Sequence, residues 1–102
     1  MKLPQLSPLQ FAVIKALGKG RVSGRDLRMS LAKLGILKST PAFYQLMSRL
    51  EEARFVFGEN ESKAIDGQTI KERFYRVTPS GEEAVAEIVK FFNKSSKAFE
   101  RV

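Results

Sequence analysis

The side chains that carry most enzymatic chemistry are missing from this chain. Its 102 residues include no cysteine and no histidine. That removes disulfides, thiolate nucleophiles, the usual zinc ligand sets and any Ser-His-Asp triad. The carboxylates include two adjacent pairs, Glu51-Glu52 and Glu82-Glu83. Sequence neighbours on a helix point different ways, and neither pair has a basic or metal-binding partner in view, so both are assigned to surface or helix-dipole roles. No cofactor and no metal are expected, and the chain does not read as an enzyme. What remains is cationic chemistry. Eighteen Lys and Arg oppose eleven Asp and Glu, a formal charge of +7. Residues 1–54 hold ten basic residues against Asp26, Glu51 and Glu52, whereas residues 55–102 balance eight against eight. All the excess positive charge therefore sits in the N-terminal half. This asymmetry suits a polyanion on one surface, because neutralising phosphates releases counterions; it also suits a small basic domain that is merely soluble.

The totals set the frame for those cations. A length of 102 residues leaves room for one domain, taken as residues 1–102, and is enough to bury a core. With 43% apolar and 28% charged residues the composition is that of an ordinary globule. The longest apolar run is four residues, too short to span a bilayer. Met1 to Gln5 lacks the apolar core of a signal peptide, so a cytoplasmic protein is expected.

The periodicities predict where the cations stand. Ser7-Pro8-Leu9-Gln10 is a helix start with a cap, a proline in the first turn and a capping-box partner. Leu9, Val13, Ile14 and Leu17 follow at helical spacing until Gly18-Lys19-Gly20. A second helix opens at Ser23-Gly24-Arg25-Asp26 and carries the stripe Leu27, Leu31, Leu34, with Met29 on another side; it stops at Gly35. Arg25, Arg28 and Lys33 fall away from that stripe. A third helix opens at Ser39-Thr40-Pro41, with either hydroxyl available as the cap, and buries Phe43, Leu46, Met47, Leu50 and Ala53. Its outward face is then Ala42, Tyr44, Gln45, Ser48, Arg49 and Glu52, polar and small rather than densely charged. After Arg54 the period changes. Phe55-Val56-Phe57 and Arg73 to Val77 have strand composition. Between them the polar stretch Gly58 to Glu72 contains Asp66-Gly67, a turn signal, so a two-stranded hairpin with an extended, solvated tip is expected. Thr78-Pro79-Ser80-Gly81 starts a fourth helix whose stripe is Val85, Ile88, Val89 and Phe92, widened by Phe91. Asn93 to Lys97 weakens that helix, and Phe99 is placed to resume packing. Three helices, a β-hairpin and a closing helix describe an α+β, mainly helical, winged helix-turn-helix.

At this point the residues resemble a known family, the PadR-like transcriptional regulators. The similar stretches are LSPLQFAVIKALGKGRVSGRDL, STPAFYQLMSRLEEARFV and KERFYRVTPSGEEAV, together covering roughly residues 6–92. The family's third-helix pattern is Gly-Thr-x-Tyr-x-x-Leu-x-Arg-Leu-Glu-x-x-Gly, and Tyr44, Arg49, Leu50 and Glu51 stand in register with it. This chain has Pro41-Ala42 where Gly-Thr is usual and Arg54 where the helix-ending glycine is usual. The second helix also lacks the common His-Gly-Tyr start, having Val22-Ser23-Gly24-Arg25. The resemblance implies that the third helix, about residues 40–53, enters the major groove of double-stranded DNA. Tyr44, Gln45, Ser48 and Arg49 are then its DNA-facing residues. Arg49 and Gln45 suit guanine and adenine edges, while Tyr44 and Ser48 suit phosphate oxygens. Ser39 and Thr40 stand where free amides welcome a phosphate, Arg25, Arg28 and Lys38 add backbone contacts, and Lys63, Lys71 and Arg73 charge the wing. In the competing reading Tyr44 is half-buried core and Arg49 pairs with Glu51 or Glu52. The family dimerises through its C-terminal helices, which makes residues 79–102 a dimerisation helix and tail with Val85, Ile88, Val89 and Phe92 at the interface. It also implies a homodimeric regulator, a repressor, with any small-molecule effector seated at the dimer interface.

Two other functions remain in view. A winged helix serving as a protein adaptor or assembly subunit would show an exposed apolar patch on the third helix. An RNA binder would expose hairpin aromatics for stacking, from among Phe55, Phe57, Phe74 and Tyr75.

Overall fold

The computed structural model describes residues 4–100, with side chains described for residues 4–95. Met1 to Leu3, the last two residues of the expected tail and the side chain of Phe99 lie outside the described residues. The element order is α1 (Pro8–Leu17), β1 (Val22–Ser23), α2 (Gly24–Lys33), α3 (Thr40–Glu52), β2 (Val56–Ile65), β3 (Gln68–Val77) and α4 (Pro79–Glu100). This is the expected α+β winged helix-turn-helix, with an extra strand. The residue pair Val22–Ser23 joins β3 at Tyr75 and Phe74, giving a three-stranded antiparallel sheet in the order β1-β3-β2. Two residues are too few to carry a period, so β1 is invisible to pattern reading.

Caps set each helix start. Ser7 accepts from the Gln10 amide at 3.0 Å while the Gln10 side chain accepts from the Ser7 amide at 2.9 Å, a complete capping box. Ser23 caps α2 by accepting from the Asp26 amide. Ser39, rather than Thr40, caps α3. One core then receives the apolar faces of all the elements. Val13, Ile14 and Leu17 of α1, Leu27 and Leu31 of α2, Phe43, Met47 and Leu50 of α3, Val56 and Tyr75 of the sheet and Val85 of α4 form a single buried cluster. Leu34 departs from the stripe expected of it. It follows the last helical residue, and at 65% exposure it faces solvent.

The hairpin is longer than its apolar residues suggest. The polar stretch read as a solvated tip is itself strand: β2 and β3 run ten residues each, paired from Val56↔Val77 to Ile65↔Gln68. Asp66 and Gly67 close it with φ of 51° and 77°, the two left-handed residues of a two-residue hairpin turn. Projecting beyond the body, the outer half is wet on both faces, so no apolar alternation marks it. The fourth helix likewise outlasts expectation, running through Asn93 to Lys97 and on to Glu100.

Arg54 stands at φ 64° immediately after α3, where the helix turns into β2. Its amide donates to the Glu51 carbonyl and its own carbonyl accepts from the Thr78 hydroxyl, so the conformation is held from both sides. The left-handed region costs a non-glycine residue roughly 1–2 kcal/mol, partly offset because glycine loses more backbone entropy on folding. Arg54→Gly is expected to raise stability by about 1 kcal/mol; a lower denaturation midpoint for the variant would show that the Arg54 side chain supplies more than the strain removes.

Candidate nucleic-acid interface

The cores of α2 and α3 determine which side chains face outward. With Phe43, Met47 and Leu50 buried, Tyr44, Gln45, Ser48 and Arg49 all fall on the exposed side of α3. Arg49 forms no ion pair with Glu51 or Glu52 among the described residues, so its guanidinium is available. Tyr44 is both outward-facing and packed against the body. It is 38% exposed, yet its ring meets Phe43 edge-on at 5.1 Å and its hydroxyl lies against the start of α2. That approach depends on Gly24: a β-carbon there would come within 3.1 Å of the Tyr44 hydroxyl and 3.4 Å of the Tyr75 ring. Phe43 in turn meets Tyr75 edge-on at 6.4 Å, which links the third helix to the base of the wing. Burial pushes the pKa of the Tyr75 hydroxyl up to about 12, so it stays neutral.

A crevice of 350 Å³ runs between α2, α3 and the wing. It brings together Ser23, Arg25, Tyr44, Lys71 and Arg73, residues from three stretches of the chain. Ser39, Thr40 and Lys38 are exposed at the mouth of α3, and Lys63 and Lys71 are exposed on the wing. The remaining two expected contacts are occupied in structural bonds. Arg28 donates to the Lys38 carbonyl at 3.2 Å and lies over the Phe43 ring at 5.8 Å, fixing the turn before α3. Arg73 is half-buried, bonded to Glu51 and, at 2.8 Å, to the Asn60 side chain. Burial is the largest single influence on Arg73 and works against its charge, but the hydrogen bond and the charge of Glu51, with smaller help from Tyr75, together raise its pKa. Glu51 is therefore the anchor that ties the wing to the end of α3, not the plain surface carboxylate its sequence setting suggests. Gly58 leaves the space for it, since a β-carbon there would collide with the Glu51 carboxylate.

On the opposite face, Arg21 braces the wing. It bonds Glu59 and Glu61 at 2.8 Å each and stacks over Phe74 at 3.9 Å. The hydrogen bond from Arg21 holds the Glu61 carboxyl below its usual range. Sequence reading passes over Arg21. The signal lay in Glu59 and Glu61, which share a strand face two residues apart, but only once the stretch is read as strand. Of the hairpin aromatics, Tyr75 is buried, Phe55 and Phe74 are half-buried, and Phe57 is 44% exposed beneath Arg76.

The closing helix divides its apolar residues. Val85 belongs to the core and Ile88 is half-buried, whereas Val89 and Phe92 are 37% and 61% exposed, with Phe91 beside Phe92 at 5.6 Å. A groove of 430 Å³ between α4 and the start of α1 is lined by Leu6, Pro8, Phe11, Ile88, Val89 and Phe92. A second hollow of 760 Å³ lies on the other side of the α1–α4 crossing. No helix among the described residues is long and apolar enough to cross a membrane.

Neither a family model nor a curated protein matches the chain in sequence. Solved structures do match in shape. A PadR-like transcription factor from Bacteroides fragilis aligns with a TM-score of 0.72 at 16% identity, over 91% of this chain and 87% of its own. A PadR-family regulator from Eggerthella lenta gives 0.64 at 23%, over 89% and 77%. Bacillus subtilis PadR, solved in complex with operator DNA, gives 0.68 at 22%, over 81% of this chain but only 47% of that one. With its helix-turn-helix, its braced hairpin and its long closing helix, the chain has the winged-helix fold of the PadR-like transcriptional regulators.

Proposed function

We propose that the protein is a cytoplasmic, homodimeric transcriptional repressor that reads double-stranded DNA with α3 in the major groove and its wing on the flanking backbone. The observation that carries this reading is the outward face of α3. Tyr44, Gln45, Ser48 and Arg49 share it, Arg49 is unpaired with its own helix, and no large aliphatic residue interrupts it. An adaptor surface on α3 would be apolar. The structural likeness to PadR, which was solved on operator DNA, supports the same conclusion. Arg49 and Gln45 make the base contacts; Tyr44, Ser48, Ser39, Thr40, Arg25 and Lys38 hold phosphates; Lys63 and Lys71 extend the contact along the wing.

The surface of α4 supports the dimer. Val89, Phe91 and Phe92 expose a contiguous apolar face beside the α1–α4 groove, more than a monomer gains by showing to water. Charge along the helix is segregated, with Glu82, Glu83 and Glu87 in its first half and Lys90 and Lys94 further on. Two copies packed antiparallel bring opposite charges together. Twofold symmetry then presents two α3 helices roughly 34 Å apart, one DNA turn, and implies a palindromic operator. An effector, in this reading, enters the 760 Å³ hollow beside α4, next to the interface.

Two substitutions test the division of labour on DNA. Arg49→Ala is expected to flatten base preference, losing roughly 1–3 kcal/mol of discrimination at one position of each half-site. Lys63→Ala is expected to weaken all sequences alike and to reduce the salt slope by about 1. Affinities of both variants for specific and scrambled duplexes, measured across salt, distinguish these outcomes. Unchanged discrimination in Arg49→Ala removes α3 as the reading element.

A further inference from the structure

The outer side of the helix-turn-helix carries an apolar groove that DNA reading leaves unexplained. It lies between α2 and α3, with a volume of 420 Å³ and a floor of Leu31, Ile36 and Phe43. Its edges are Met29 and Leu37, exposed by 58% and 79%. Every charged residue in its lining is a cation: Arg25, Arg28 and Lys38. Arg28 is already fixed by its bond to the Lys38 carbonyl and by the Phe43 ring, so one wall is rigid before anything binds.

Phosphate backbone is recognised through charge and hydrogen bonds and gains little from a large aliphatic edge. A contiguous exposed apolar patch rimmed by polar residues is the mark of a protein contact. A groove between two helices fits an amphipathic helix that presents apolar anchors at i, i+3, i+4 and i+7. The wholly cationic rim selects acidic flanks on that helix, by complementarity of sign. We propose that this groove docks an acidic amphipathic helix of a partner protein, and that docking excludes DNA. The exclusion rests on the DNA-binding reading above, because Arg25, Lys38 and Tyr44 border the groove and are also phosphate contacts in that reading. The partner would act as an antirepressor by occupying the cations that the operator needs.

The test is a display selection on the full chain, using a helical peptide library with leucines fixed at those four spacings and all other positions random. Enrichment of acidic peptides is expected. Their affinity should drop at least about tenfold in Met29→Ser/Leu37→Ser, whose altered residues are exposed and are assigned no DNA contact in the reading above. Duplex DNA should compete with the peptides, and Arg25→Ala should weaken peptide and DNA together. Duplex binding measured on the same preparations keeps the two claims apart. A protein that binds DNA yet enriches no acidic helix overturns the docking proposal and leaves the DNA reading standing. Peptides that bind the double variant as well as the parent also overturn it. Peptide capture that depends on Met29 and Leu37, by a protein without affinity for DNA, upholds the groove and removes the exclusion with the DNA reading.

Discussion

Gly81→Ala is expected to destabilise the protein by about 2 kcal/mol net, and the sign of that change decides how α4 is joined to the body. Gly81 is buried in the first turn of α4, where alanine would ordinarily gain about 1 kcal/mol of helix propensity. Here a β-carbon collides with the backbone carbonyl of Phe55 and with the Val77 side chain. A carbonyl cannot rotate out of the way, so the overpacking cost is set near the top of its usual range, about 3 kcal/mol. Thr78 completes the corner: its hydroxyl accepts from the Gly81 amide at 3.1 Å and donates to the Arg54 carbonyl at 2.6 Å, while its amide donates to the Phe55 carbonyl. The Thr-x-x-Gly pattern is therefore a packing joint between α4 and the turn after α3. The melting temperature should fall by about 10 °C, with Ser80→Ala, an exposed neighbour, changing little. A variant as stable as the parent would mean that α4 sits further from Phe55.

Val89→Asp/Phe92→Asp is expected to yield a folded monomer whose affinity for a two-half-site operator falls about a hundredfold or more. Both residues are exposed on a single copy, so their replacement leaves the monomer core intact, whereas two buried aspartates per copy would make the paired surface untenable. Loss of the second recognition helix removes the avidity that links the half-sites, a factor of about 10² to 10⁴. Sedimentation reads the mass and titration with a single half-site reads the remaining binding, which should be unchanged. A variant that keeps the parent's mass and operator affinity places the dimer interface elsewhere.

Much of this architecture is legible in the residues because it rests on strong local signals. The Ser7–Gln10 box, the Ser23 and Ser39 caps and the 3.6-residue stripes of α1 and α3 fix three helices and, with them, the outward position of Tyr44, Gln45, Ser48 and Arg49. The departures share a physical cause. The outer hairpin has no dry face, so its polar residues carry no strand signature although they pair through Ile65↔Gln68. Charges lose their apparent freedom for a related reason. Arg28 and Arg73 look like free cations in sequence, yet partners 10 and 22 residues away, the Lys38 carbonyl and Glu51, engage them. Long-range pairs of this kind, like Arg21 with Glu59 and Glu61 at separations of 38 and 40, have no local period to betray them. The exposed Leu34 shows the converse: an apolar residue in register with a stripe that ends one residue too early.

The most direct measurement is selection of the protein on a random double-stranded DNA library, followed by affinity across salt for the enriched and scrambled duplexes. Enrichment of a palindrome with half-sites one helical turn apart, bound at least about a thousandfold more tightly than scrambled DNA, is the expected result. Weak, steeply salt-dependent binding with no enriched sequence would contradict it, leaving the basic N-terminal half with non-specific contact alone.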